Sequence, residues 1–213
     1  MTSPGRTLLL KNAERIDLTV EDSSSPARVI WLPDVIDRPG FSFLAEFPPG
    51  WQRSRSGWYT QSEEIFVIEG ELQINDITHQ KDGYAWLPSG YLRSRSTAPN
   101  GALVVARFHG QPRWQRSKSF SPQYLPEETV ITNAANVEET ASPLQSGSAR
   151  LLRSGRCNTT FTTDTFHGIV PAGHAIEIFS LNSRTWTTAK MDSDRIDISE
   201  KALCRLVRTS VLR

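Results

Sequence analysis

At 213 residues the chain has room for one large β domain or for two domains of roughly 100 residues each, so either arrangement can bury a proper core. Its 24 basic residues stand against 23 acidic ones, a near-balance that excludes the strong positive field drawing proteins to nucleic acid or to an anionic membrane. The opening stretch MTSPGRTLLLKNAERIDL is far too polar for a signal-peptide core and no later apolar run approaches a membrane span, so the expected location is the cytoplasm.

In chain order, short β-branched and aromatic runs recur between Gly, Pro, Asn and Ser, and helical periodicity is almost absent. RVIWLP, FSFLAEF, EEIFVIEGELQI, GYAWLP and ALVVARFHG are expected strands, with PPG, NDIT, KDGY and APNG as turns. Prolines, serines and basic residues interrupt this pattern in GQPRWQRSKSFSPQYLP, residues 110 to 126. A linker is therefore expected at 114–126, between domains at 1–113 and 127–213. Beyond it ARLLRSG, NTTFTTDTFHGIV, AIEIFSL, TWTTAKM and ALCRLVRTS read as a further set of strands. Cys157 and Cys204 form no CxxC and are expected as reduced thiols packed in strands.

The halves echo one another. FPPGWQRSRSGWYTQSEEIFVIEG at 47 to 70 is answered by VPAGHAIEIFSLNS at 170 to 183, a P-x-G turn preceding E-I-F in both. The second copy lacks ten residues between turn and strand. In this alignment Glu177 matches Glu64 rather than Glu63.

Gly50, Glu63 and Gly70 follow the spacing G(x)12E(x)6G, and Pro88 and Gly90 follow Asp82 and Gly83. Residues 50 to 95 thus resemble the two motifs of the cupin superfamily, G(x)5HxH(x)3-4E(x)6G and G(x)5PxG(x)2H(x)3N, most closely in the anti-sigma-factor and acetylacetone-cleaving cupins. The resemblance extends over residues 27 to 112 and more weakly over the second half. It implies an all-β jelly roll, a double-stranded β-helix, as two tandem barrels with the second reduced. In metal-binding cupins two histidines, a glutamate and a third histidine hold one divalent ion. Carried onto this chain those positions are Ser56, Trp58, Glu63 and Arg93. An indole has no lone pair for a metal, a serine is a poor neutral ligand and a guanidinium repels the ion. No metal or other cofactor is therefore expected in the first barrel.

If Glu63 and Arg93 point inward as their counterparts do, alternation brings Ser54, Ser56, Trp58 and Arg95 to the same face. Glu63 then pairs with Arg93, and Arg95 with the serine hydroxyls is left to take a carboxylate or phosphate. The expected site is Ser54, Ser56, Trp58, Glu63, Arg93 and Arg95. The histidines supply little to replace a metal site: His79 lies in a hairpin and is expected exposed, and His109 ends a strand. One alternative is a divalent metal held by His167, His174 and Glu177. Phe66 and Ile68 alternate with inward Ile65 and Val67, so an apolar outer face needs covering by a homodimer or an intramolecular barrel pair. The function so read is metal-independent binding or sensing of a small anionic molecule, without catalysis. A metal-dependent enzyme of the dioxygenase or dione-cleaving kind and a purely structural module stand as alternatives.

Overall fold

The computed structural model describes residues 6–33, 41–132, 139–141, 148–155, 158–190 and 195–209. Among these the structure is almost entirely antiparallel sheet, with single turns of 3-10 helix at Leu10–Asn12 and Pro126–Glu128. Among the described residues no helix is long and apolar enough to cross a membrane. The chain divides into two compact units, a first of Glu14–Leu32 with Arg38–Asn136 and a second of Met1–Ala13, Pro33–Asp37 and Val137–Arg213.

Strand β1 (Arg6–Leu9) opens the chain yet pairs with residues 185–188 of the second unit. The first unit contains β2 (Ile16–Leu18), β3 (Ala27–Leu32), β4 (Phe41–Phe47), β5 (Trp51–Arg53), β6 (Gly57–Tyr59) and β7 (Glu63–Ile74), followed by β8 (Ile77–Gln80), β9 (Tyr84–Leu87), β10 (Ser96–Ala98), β11 (Ala102–Phe108), β12 (Trp114–Arg116) and β13 (Val130–Thr132). The second adds β14 (Glu139–Ala141), β15 (Ser148–Ser154), β16 (Asn158–Thr163), β17 (Phe166–Ile169), β18 (His174–Ser180), β19 (Thr185–Lys190), β20 (Arg195–Ile198) and β21 (Ala202–Arg208). The main sheet of the first unit runs β13-β9-β7-β11-β4-β3-β2 and that of the second runs β1-β19-β18-β21-β16-β15-β14. The E-I-F strands β7 and β18 hold the same place in the two orders, each beside the strand that ends its half's core.

These orders revise the expected boundaries. β1 is an edge strand of the second sheet, and β13 closes the corresponding edge of the first, so a cut at 113 would strip the first sheet of its edge. The expected linker 114–126 is not a free tether: β12 within it pairs with β6 from Trp114↔Tyr59 to Arg116↔Gly57. The prolines at 112 and 122 flank Trp114–Arg116 without falling within it, so the backbone donors of those three residues can join a two-stranded ladder.

Strand β7 shows why the first unit folds around this segment. Ile65 and Val67 turn into a core with Val29, Phe43, Val104 and Ala106, while Phe66 and Ile68 turn to the opposite face. Each such side chain contributes about 1.5–3 kcal/mol when fully buried. Phe66 and Ile68 are already buried within a single chain, so the exposed apolar face that suggested a second copy is not there. At Gly70 the backbone takes φ +72°, and a Cβ would strike the carbonyl of Gly101. Asp82, standing where the resembled motif has glycine, itself adopts φ +67°.

The second unit packs Phe161, Phe166, Val170, Ile176, Ile178, Ile196, Ile198, Cys204 and Leu206 into an apolar core. Burial pushes the pKa of the Cys204 thiol up and keeps it protonated, which makes it a small core hydrophobe; Cys157 lies outside the described residues.

Candidate functional site

The first unit contains a partly open cavity of about 340 Å³, near the lower end of the roughly 300–1,000 Å³ found for small-molecule sites. Its wall is mostly apolar, with Val29, Phe43, Ala45, Trp51, Ile65 and Val104 prominent. Four charged residues reach it: Glu21, Arg53, Glu63 and Arg93. Glu21 is exposed and presents its backbone carbonyl inward, whereas Arg53, Glu63 and Arg93 are 3%, 6% and 6% exposed.

Glu63, first residue of β7, accepts a hydrogen bond at Oε2 from Arg93 Nη2. Arg93 is positioned by an isolated bridge in which its N–H and C=O pair with Gly57. Arg53, last residue of β5, has a different kind of shell. Its Nε donates to the Glu21 carbonyl at 3.0 Å, its Nη2 donates to Tyr59 Oη at 2.6 Å, and its guanidinium lies 4.1 Å from the Trp114 ring. No described carboxylate stands within ion-pair distance of it. Tyr59 thus lies beside both cations, 5.2 Å from Arg53 and 4.9 Å from Arg93. Two buried guanidiniums and one buried carboxylate leave this interior one positive charge in surplus.

Trp114 reaches the cavity because Gly57 has no side chain; a Cβ there would come within 2.6 Å of the indole. The strap carrying Trp114 is clasped by Arg116, whose Nε and Nη2 donate to the Asp22 carboxylate at 2.9 and 2.8 Å. That hydrogen bond holds the Asp22 carboxyl below its ordinary pKa.

Several buried polar atoms of this unit have no hydrogen-bond partner: Arg93 Nε, Ser96 Oγ and both ring nitrogens of His79. Arg93 and Ser96 line the cavity, and Ser96 sits opposite Arg53 in the β5–β10 register. His79 is 1% exposed, on β8 opposite core residue Leu72. Desolvation, with the Arg93 charge as a second cause, lowers its pKa from 6.5 to about 4, so it is neutral at pH 7.

The opposite face of β7 carries a separate polar group. Glu64 is hydrogen-bonded to His109 Nε2 at 2.8 Å and accepts from Tyr84 Oη at 3.2 Å, and Trp86 lies edge-on to His109 at 4.8 Å.

The structure brings together Glu63 and Arg93 of the expected site and disperses the rest. Ser54 and Arg95 are exposed, Arg95 reaching only Gln73 at 3.5 Å. Ser56 is half-buried and donates to the Ser94 carbonyl at 3.4 Å, and half-buried Trp58 is not part of the cavity wall. The cause is lost parity: residues 54–56 and 94–95 are not strand, so alternation restarts at Gly57 and at Ser96. The inward residues are Arg53, Tyr59 and Ser96. Counting from Trp51, an apolar residue that must face the core, places Arg53 inward directly. His79, expected exposed, was also readable. The two-residue Asn75-Asp76 turn sets Ile74 against Ile77 and hence Leu72 against His79.

The cavity's donor set does not fit a divalent metal. Its one buried carboxylate is held by Arg93, and the neighbouring inward positions offer a glycine, a phenol and guanidiniums. The alternative set fares no better. Glu177 accepts from Arg205 at 3.3 Å; His174, three residues away on the same strand and so on the opposite face, meets the Ala172 carbonyl at 3.1 Å. The His167 side chain lies outside the described residues. Among the described residues no three His, Cys, Asp or Glu side chains form a metal-holding group.

No protein-family model matches the chain, and no curated protein does. Solved structures do match across nearly its whole length. A candidate dioxygenase from Nostoc punctiforme shares TM-score 0.76 and 13% identity over 96% of this chain and 82% of its own. Protein YlbA from E. coli gives TM-score 0.65 and 9% identity over 98% and 93%. A candidate glyoxylate-induced protein from Pseudomonas aeruginosa gives 0.61 and 13% over 96% and 88%. At such identities the likeness is one of fold, and the fold is the cupin-type β jelly roll.

Proposed function

We propose that this protein is a metal-independent, small-molecule-binding cupin, a sensor or carrier of an anionic ligand, with the first unit as the binding unit and the second as its reduced tandem counterpart. The observation that carries the reading is the Arg93–Glu63 pair on the cavity wall. The guanidinium occupies the carboxylate that a metal would need, and it brings a permanent positive charge. Arg53 adds a second cation, held by the Glu21 carbonyl and the Tyr59 hydroxyl, both neutral. A mostly apolar cavity with a few polar groups is what small-molecule recognition requires.

The test has two parts. Protein purified without tag or chelator is expected to carry no stoichiometric transition metal by elemental analysis. Its melting temperature is expected to rise with carboxylates or phosphorylated metabolites, because a ligand preferring the folded state stabilises it. Stoichiometric metal that survives dialysis would favour instead a metal-dependent enzyme, the direction in which the Nostoc neighbour's description points. A screen with no shift from any class would leave only a structural module.

A further inference from the structure

Resting on that binding reading, we infer that the ligand is a singly charged carboxylic acid with an apolar body, seated on Arg53, rather than a phosphate dianion. The two buried cations differ in what they have left to give. Arg93 is neutralised by Glu63, while Arg53 is held by a carbonyl, a phenol and an indole face, none of which cancels its charge. One surplus positive charge therefore faces the cavity, and His79, neutral at pH 7, adds none. A dianion brought into this interior would retain an uncompensated charge, and burying an unpaired charge is costly. A monoanion closes the balance.

Hydrogen-bond capacity points to the same anchor. Tyr59 and Ser96 flank Arg53 across neighbouring strands, the first bonded to it and the second in register with it, so a carboxylate there has a planar donor fork and two hydroxyls beside it. Arg93 Nε and Ser96 Oγ, both unpartnered, can also meet a neutral oxygen on the ligand. The remaining wall asks for hydrocarbon: Val29, Phe43, Ala45, Ile65 and Val104 line the interior, with Trp31 partly exposed among the lining aromatics. Arg95, exposed at the surface, takes no part.

Thermal shift and calorimetry with three probes of similar body test this directly: 3-phenylpropanoate, 3-phenylpropanamide and phenyl phosphate, at a pH where the phosphate is a dianion. The acid is expected to raise the melting temperature, the amide to leave it unchanged and the phosphate to shift it less. Arg53→Gln is expected to weaken binding of the acid roughly 10- to 100-fold, the loss of a charge-assisted hydrogen-bond pair. Glu63→Gln, which frees the Arg93 charge, is expected to reverse the preference towards phenyl phosphate; this second variant keeps the test sharp if Arg53→Gln fails to fold. An amide or phosphate shift equal to that of the acid in the unsubstituted protein overturns the inference and leaves ligand binding standing. Silence from all three probes, with a shift from some other class in a wider screen, has the same meaning. Silence from every class removes the inference together with the binding reading.

Discussion

Strands β7 and β18 occupy equivalent places in two sheets of the same order, and over the four residues that open their shared motif they differ at one inward position. In β7 the run is Glu63-Glu64-Ile65-Phe66; in β18 it is Ile176-Glu177-Ile178-Phe179. The outward acid is kept in both and faces an arginine in register, Glu64 across from Arg107 and Glu177 across from Arg205. The inward residue before it is Glu63 in the first unit and Ile176, fully buried, in the second. An isoleucine therefore satisfies this architecture at the place where the first unit spends a buried charge. The Glu63–Arg93 pair belongs to the cavity, and the apolar core of the second unit shows what the same sheet order does without one.

The largest effect should come from making the first unit like the second, one charge at a time. Glu63→Ile alone leaves Arg93 buried without its partner and is expected to cost about 3–5 kcal/mol in urea unfolding. Glu63→Ile combined with Arg93→Leu removes both charges, and stability should return to the wild-type level or above, because apolar replacement of a buried pair is often neutral or stabilising. A double variant as unstable as the single one would mean that the first fold needs the pair, and the likeness of the two interiors would fail. Because Arg53 and its surplus charge are untouched, the double variant should keep a melting-temperature response to 3-phenylpropanoate.

Next in size is a difference in acid sensitivity. His79 has its pKa lowered in the folded state to about 4 against 6.5, so between these values the unfolded chain binds the proton and the folded one does not. Its stabilising contribution is complete above pH 6.5 and is lost as pH falls through 4, a change of about 3 kcal/mol. Among the described residues, the second unit's hydrophobic core cluster holds no histidine. In His79→Leu the pH-dependent part of the unfolding free energy between 6.5 and 4 should shrink by that amount, with little change at pH 7. An unchanged profile would assign the acid sensitivity to other groups.

A smaller effect concerns the strap. Gly57→Ala places a methyl against both the Gln115 backbone carbonyl and the Trp114 indole, and overpacking of this kind costs about 1–3 kcal/mol. Because Trp114 also stacks on Arg53, ligand-dependent stabilisation should fall more than intrinsic stability does. Equal losses would make Trp114 a packing residue alone.

The sequence carried the fold well because period-two alternation and turn residues act locally. E-I-F-V-I reads as a strand buried on both faces, and Gly70 with its φ of +72° holds the end of the motif in place. Glu63 and Arg93 were legible for the same reason, each fixed by its motif spacing. Arg53, Tyr59 and Ser96 were not, since alternation was carried through 54–56 and 94–95, where the backbone leaves the strand and the parity restarts. The N-terminal strand escaped for another reason: β1 pairs with residues nearly 180 positions away, as in Thr7↔Thr187, and no local pattern encodes that partner.

The smallest effect expected is at Arg95, and it separates the cavity from its surface. Arg95 stands two residues from Arg93 and would share its face in an unbroken strand, but the bend at 94–95 turns it out to solvent, where it meets Gln73 at a long 3.5 Å. An exposed side chain with so weak a contact contributes little, so Arg95→Ala should change stability by less than about 0.5 kcal/mol. It should also leave the melting-temperature response to 3-phenylpropanoate intact, where Arg53→Gln is expected to weaken it. The reverse result, with Arg95→Ala silencing the response and Arg53→Gln sparing it, would restore unbroken alternation through residues 93 to 95 and place the anion on the other side of the strand. The contrast depends on backbone geometry alone, since both side chains carry the same guanidinium.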